Sequence, residues 1–253
     1  MLFFRSDGVE EEKMGEISLC GVRIHDMTLS EALDRALEKG KSPCWVVTPN
    51  AVMLEACRRD LEKAALLNRS SLSLADGAGV VLAAQKKGTP LGGRVAGIDF
   101  GEALMRRAAR SGYKVFLLGG GEGVAREAAE KLQSRYPGLC VCGSHWGYFQ
   151  KQGEEDRRVT EMIRSSGADI LFVCFGFPLQ EEWIDTHLSR LSGLRVVAGL
   201  GGSLDVWADR VRRAPPAIAR MGLEWAWRMA REPKRMKQIP ALVRFLRYIE
   251  KND

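Results

Sequence analysis

From residue 17 to about residue 205, short apolar runs alternate with longer stretches whose apolar positions recur at helical spacing. Thr28-Leu29-Ser30-Glu31 is a capping-box pattern and opens a helix that runs to Lys39. Cys44-Trp45-Val46-Val47 reads as a buried strand ending in the polar loop Thr48-Pro49-Asn50, after which a helical stretch reaches about Leu67. Residues 71–75 form a short strand that stops at Asp76-Gly77. Further strands fall at 114–118, 170–175 and 195–198, with helices near 100–111, 124–135, 154–166 and 180–191. Two amphipathic patterns close the chain. Ile218, Met221, Trp225 and Met229 stand at offsets 0, 3, 7 and 11, one stripe of a helix, flanked by Arg220, Arg228 and Arg231. A second helix opens at Pro240, a favoured first-turn residue. Leu242, Phe245, Leu246 and Ile249 line one of its faces, and Arg244, Arg247 and Lys251 another.

Strands joined by helix-length connections imply an α/β fold, a mainly parallel, Rossmann-like sheet with helices on both faces. Residues 1–209 are read as that domain and residues 210–253 as a basic helical C-terminal appendage. Charge draws the boundary: the last 44 residues carry 12 Lys/Arg against 4 Asp/Glu, while the rest of the chain carries 26 against 28. Basic charge beside an apolar, aromatic stripe fits a surface meeting anionic lipid or another anionic partner, or equally a helical hairpin packed on its own domain. No apolar run approaches the ~18–20 residues of a membrane span. Leu2-Phe3-Phe4 is too short for a signal-peptide core. The expectation is a cytoplasmic protein that touches a membrane from one side at most. Six cysteines without a Cys-x-x-Cys pair read as reduced, buried thiols. His25, His145 and His187 show no metal-ligand spacing, and no structural zinc site is expected.

Ligands of such folds gather beyond the carboxyl ends of the strands. The polar residues there are Thr48, Asn50, Asp76, the run Gly119-Gly120-Gly121, the loop holding Gln180 and Glu181, and Gly201-Gly202. The three glycines let backbone N–H groups approach a phosphate ahead of a helix N-terminus, or simply permit a strand-to-helix turn. Asp76 is either a general base or the cap of the next helix. Asp99 precedes another helix and carries the same capping reading, and one of Gln180 and Glu181 caps its helix or meets substrate. No Asp-x-Asp occurs, so arginines or helix dipoles must stabilise any diphosphate leaving group.

Eight strings, in order, resemble the WecG/TagA/CpsF glycosyltransferases: Thr48-Pro49-Asn50, Leu74-Ala75-Asp76-Gly77-Ala78-Gly79, Arg94-Val95-Ala96-Gly97-Ile98-Asp99, Gly147-Tyr148-Phe149, Gly176-Phe177-Pro178-Leu179-Gln180-Glu181, Gly199-Leu200-Gly201-Gly202-Ser203-Leu204-Asp205, Arg213-Ala214-Pro215 and Gly222-Leu223-Glu224-Trp225. The resemblance covers residues 17 to about 240. It implies an inverting transferase, independent of metal and other cofactors, that acts at the cytoplasmic membrane face. The implied donor is a UDP-sugar carrying N-acetylmannosamine, its uronic acid or glucose. The implied acceptor is undecaprenyl-diphosphate-linked N-acetylglucosamine, in teichoic acid, common-antigen or capsule synthesis. The family's base matches Asp76. Its active-site Thr and Asn match Thr48 and Asn50, its basic residue Arg94, its loop Gln Gln180, and its tail arginines Arg228 and Arg235. Asp209 stands where a Gly is usual and Gln238 where another arginine is common.

The combined expectation makes Asp76, Thr48 and Gln180 catalytic. Asn50, Arg94, Asp99, Gly119, Gly120, Gly121, Glu181, Arg228 and Arg235 bind substrate, and the tail docks on an anionic membrane. Self-association through exposed apolar tail surface is compatible with the pattern. A nucleic-acid-binding protein is the first rival, disfavoured by the apolar stripes. A nicotinamide-dependent oxidoreductase is the second, disfavoured by the missing Gly-x-Gly-x-x-Gly.

Overall fold

A computed structural model describes residues 15–215, 218, 224–231 and 233–251, without the side chains of residues 228, 233 and 234. The N-terminal readings at Leu2-Phe3-Phe4 and those at Arg220 and Met221 lie outside the described residues. Six strands form one all-parallel sheet in the order β4-β3-β8-β7-β5-β6. They are β3 (Cys44–Val47), β4 (Leu72–Ser73), β5 (Lys114–Gly119), β6 (Cys140–His145), β7 (Ile170–Cys174) and β8 (Val196–Gly199). Alternate residues of the central strands enter different cores. Trp45, Val47, Leu171 and Val173 lie in one, Val46, Ile170, Phe172 and Ala198 in the other. Both faces are therefore covered, which is why these strands read as unbroken apolar runs.

Three strands were not expected. Ahead of the sheet, β1 (Glu16–Leu19) and β2 (Val22–His25) form an antiparallel hairpin around Cys20 and Gly21, both at positive φ (52° and 78°). At the sheet edge, β6 was missed because Cys-Val-Cys-Gly-Ser-His lacks a strong strand pattern; its Cys140 is exposed, contrary to the expectation of buried thiols. All six cysteines are free.

The helices are α1 (Leu29–Leu37), α2 (Ala51–Arg59), α3 (Leu61–Asn68), α4 (Ala78–Lys86), α5 (Gly97–Ser111), α6 (Val124–Arg135), α7 (Gly153–Ser165), α8 (Leu179–His187) and α9 (Ser203–Trp207). The Thr28–Glu31 capping box forms as read. The stretch expected as one helix up to Leu67 breaks at Asp60, whose carboxylate caps α3 through Glu62 N–H at 3.1 Å. A 3-10 turn (Leu188–Leu191) ends the segment after α8. Asp209 adopts φ 55°, the left-handed conformation that favours glycine, and its carboxylate meets Lys131 at 2.9 Å. An aspartate is tolerated there because its short side chain fits that conformation and finds a cation.

Beyond Asp209 come α10 (Glu224–Arg231), a 3-10 turn (Pro233–Gln238) and α11 (Ile239–Lys251). Although the charge pattern set this segment apart, α11 packs on α2 and α4, with Phe245 and Ile249 buried in the same core as Trp45 and Leu54. Burying a phenylalanine stabilises by about 1.5–3 kcal/mol. Arg244 is not a lipid-facing charge, since its Nε donates to Glu55 at 3.1 Å. Burial of Glu55 works against its charge, yet hydrogen bonds from Arg58 and Arg244 outweigh it and hold the carboxyl below its ordinary pKa. The apolar stripe of α11 thus faces inward.

Candidate active site

Neighbouring strands β3 and β8 send their following helices to opposite faces: α2 joins one core and α9 the other. A crevice opens beyond their carboxyl ends, and a cavity of about 520 Å³ fills it. Its floor comes from the exits of β3, β4 and β8, and α10 and α11 roof it through Trp225, Met229, Leu242 and Leu246.

Backbone hydrogen bonds bring three of the motif strings together. Leu74 N–H donates to Val47 C=O (2.9 Å), Asp76 N–H to Pro49 C=O (3.0 Å) and Val95 N–H to Ala75 C=O (3.0 Å). Thr48, Asp76 and Arg94 consequently line the same cavity. Thr48 is nearly buried, and a Cβ on Gly97 would stand 2.8 Å from its Oγ1, so only glycine lets α5 start this close. Asp76 is half-buried and does not cap α4: the cap position is Gly77, at φ 94°, with no side-chain hydrogen bond. Asn50 lines the cavity too, but its Oδ1 caps α2 by accepting from Val52 N–H (3.0 Å) and Met53 N–H (3.2 Å).

Two ion pairs of opposite polarity join the body to the tail. Arg94 meets Glu224 at 2.7 Å, and Arg213 meets Asp99 at 2.5 Å. Asp99 sits in the first turn of α5 and, held by Arg213, is not part of the cavity lining. Burial works against the Arg213 charge, but Asp99, Glu224 and Glu102 outweigh it and raise its pKa. Arg235 lines the cavity as expected of a tail arginine, whereas the Arg228 side chain lies outside the described residues.

Other expected residues stand elsewhere. Gly119, Gly120 and Gly121 do not line the cavity, and two have packing reasons of their own. A Cβ on Gly119, at φ 138°, would come within 2.4 Å of Cys174 C=O, and one on Gly120, at φ 69°, within 2.9 Å of Val124. Gly121 is different, with only an ordinary contact at 3.7 Å to Val124. Beside this turn Gly147 N–H donates to Gly120 C=O at 2.8 Å, and the next residue, Tyr148, is 76% exposed. Gln180 and Glu181 are buried beneath the loops and do not line the cavity. Among the described residues no group of three His, Cys, Asp or Glu is placed to hold a metal ion.

Residues 17–252 match the family described as the glycosyl transferase WecG/TagA/CpsF family. The chain belongs to this family. Similar relatives from Staphylococcus aureus strains MW2, MRSA252 and NCTC 8325 / PS 47 are each 30% identical over 246 residues, covering 96% of this chain and 95% of the relative. Each bears the name N-acetylglucosaminyldiphosphoundecaprenol N-acetyl-beta-D-mannosaminyltransferase. For a family glycosyltransferase the cavity adds two arginines that the sequence reading did not single out, Arg212 and Arg213. Arg213 was visible only as part of a matched string. The signal for both was their place directly after α9, where the chain turns from the body into the tail.

Proposed function

We propose that the chain transfers an N-acetylmannosaminyl residue from a UDP-sugar to N-acetylglucosaminyl-diphospho-undecaprenol. The observation that carries this reading is one cavity that joins the half-buried Asp76 carboxylate, the Thr48 hydroxyl and the guanidinium groups of Arg94, Arg212, Arg213 and Arg235 under an apolar roof. Asp76 takes the proton of an acceptor sugar hydroxyl. The hydroxyl oxygen forms its bond to the anomeric carbon as the bond to the UDP oxygen breaks on the opposite face, which inverts that centre. Thr48 and Asn50 orient the sugars, and the arginines balance the charge of the phosphates.

The donor nucleotide is assigned to the neighbouring part of the sheet edge. There the turn Gly119-Gly120-Gly121 leads into α6, whose N-terminus favours negative charge, and Tyr148 offers a flat exposed ring for a base. The β8 exit loop, which supplies Leu200, Gly202 and Ser203 to the cavity wall, is separated from β5 by β7 alone, about 10 Å at the usual strand spacing. The lipid end of the acceptor leaves past Trp225, Met236, Ile239 and Val243, large apolar side chains exposed on the tail, with Lys237, Arg247 and Lys251 exposed nearby for anionic headgroups. Among the described residues no helix is long and apolar enough to cross a membrane. Purified protein incubated with UDP-N-acetylmannosamine and the lipid acceptor should yield a product heavier by one N-acetylhexosamine residue. If no donor in a UDP-sugar screen extends that acceptor, the assignment of substrate fails.

A further inference from the structure

Gln180 and Glu181 were expected in contact with substrate, yet both are buried and outside the cavity lining. Their contacts point to a different task. Gln180 Oε1 accepts from two backbone donors, Gly176 N–H at 3.1 Å, just beyond β7, and Gly201 N–H at 2.9 Å, just beyond β8. With the carbonyl committed to two donors, the amide nitrogen must turn the other way. It donates to Glu181 Oε1 at 2.7 Å. A Cβ on Gly199 would stand 2.8 Å from Gln180 Nε2 and 3.2 Å from Glu181 Oε1, so the pair is pressed against β8 itself. The loop it holds supplies Leu200, Gly202 and Ser203 to the cavity wall, and Leu200 is among the atoms nearest Gly97, beside Thr48.

We propose that Glu181 is a positioning residue: through the Gln180 amide it locks the exit loops of β7 and β8 at the spacing that shapes the wall of the active-site cavity. The proposal rests on the functional reading above for its catalytic consequence only. Glu181 is 0% exposed, and its Oε2 has no hydrogen-bond partner. Burial pushes its carboxyl up to about 7, opposed by the Gln180 hydrogen bond and assisted by Glu182 on the same helix. From α2 it faces the Cys57 thiol, itself pushed up by burial to about 12, and from β8 it faces Gly199, which brings no charge. No cation offsets an ionised Glu181 among these neighbours. The lock therefore holds best with the carboxyl neutral. Because the closed-state pKa exceeds the ordinary value of 4.5, the lock's contribution is complete below about 4.5 and is lost as pH rises through about 7.

The test is amide hydrogen exchange at Gly176 and Gly201, corrected for intrinsic rates, on the full chain between pH 5 and 8, beside kcat over pH 6 to 9. In the wild type, protection at both amides should fall by about tenfold per pH unit up to about 7 and then level off. In Glu181→Gln, which keeps an acceptor for Gln180 but cannot ionise, protection should not depend on pH, and the descending limb of kcat near pH 7 should vanish. In Glu181→Ala protection should be low throughout and kcat about tenfold down at pH 6. Equal pH dependence in wild type and Glu181→Gln would overturn the proposal, as would unchanged protection at Gly201 in a folded Glu181→Ala. Exchange as expected in a protein that transfers no sugar would leave the lock standing and remove the substrate assignment.

Discussion

The carboxyl edge of the sheet has two halves built on different principles. Beyond β3, β4 and β8 lies a roofed cavity whose polar groups are side chains: a carboxylate, a hydroxyl and several guanidinium groups. Beyond β5 and β6 lie a glycine turn that leads into α6 and, next to Gly147 at that turn, an exposed tyrosine. Side-chain chemistry with apolar cover suits a reacting centre, where charge develops and water interferes. A helix N-terminus and a flat ring suit a ligand part that is held and does not react. We propose on this contrast that chemistry belongs to the roofed half and nucleotide binding to the other half.

Substitutions can break this contrast. The largest effect belongs to Asp76→Asn, which should cut turnover by ~10²–10⁴. Next comes Phe245→Ala, which removes the ring anchoring α11 and should destabilise by about 3–5 kcal/mol, read by denaturant titration. On the other half, Tyr148→Ala should weaken donor binding by ~1–3 kcal/mol, the usual worth of a base–aromatic stack, with kcat at saturating donor unchanged. A kcat loss there equal to that of Asp76→Asn would erase the distinction between the halves. Gly119→Ala and Gly121→Ala sharpen it further. The first should destabilise the fold, because its Cβ meets Cys174 C=O, while the second should fold normally and raise only the donor KM. The smallest effect is at the membrane. Reversing Arg247 and Lys251 should weaken anionic-vesicle sedimentation by about 1 kcal/mol per charge in a salt-sensitive way. Arg244 is unsuitable for that test, since reversing it leaves buried Glu55 facing a like charge.

The parallel sheet was legible because strands covered on both faces leave unbroken runs such as Cys44-Trp45-Val46-Val47. Edge strand β6 was not, since a strand with one neighbour and a mixed sequence carries no such run. The stripe on α11 announced a buried face but not what buries it: periodicity is identical for a helix on lipid and a helix on α2. The site shows the same limit. Thr48, Asp76 and Arg94 sit in motif strings and line one cavity. Asp99, Gln180 and Glu181 sit in equally distinctive strings, but Asp99 meets Arg213, Gln180 meets backbone N–H and Glu181 meets the Gln180 amide. A motif reports that a residue is constrained. Whether the constraint is a ligand or a loop depends on the long-range contacts that place it.

The most direct test of the central claim measures two quantities on one variant. Asp76→Asn should show a single-turnover rate at saturating donor and lipid acceptor at least ~10² below wild type, with its Kd for UDP unchanged. A near-wild-type rate, or a Kd for UDP that weakens in step with the rate, would contradict the assignment of chemistry to the roofed half and nucleotide binding to the other.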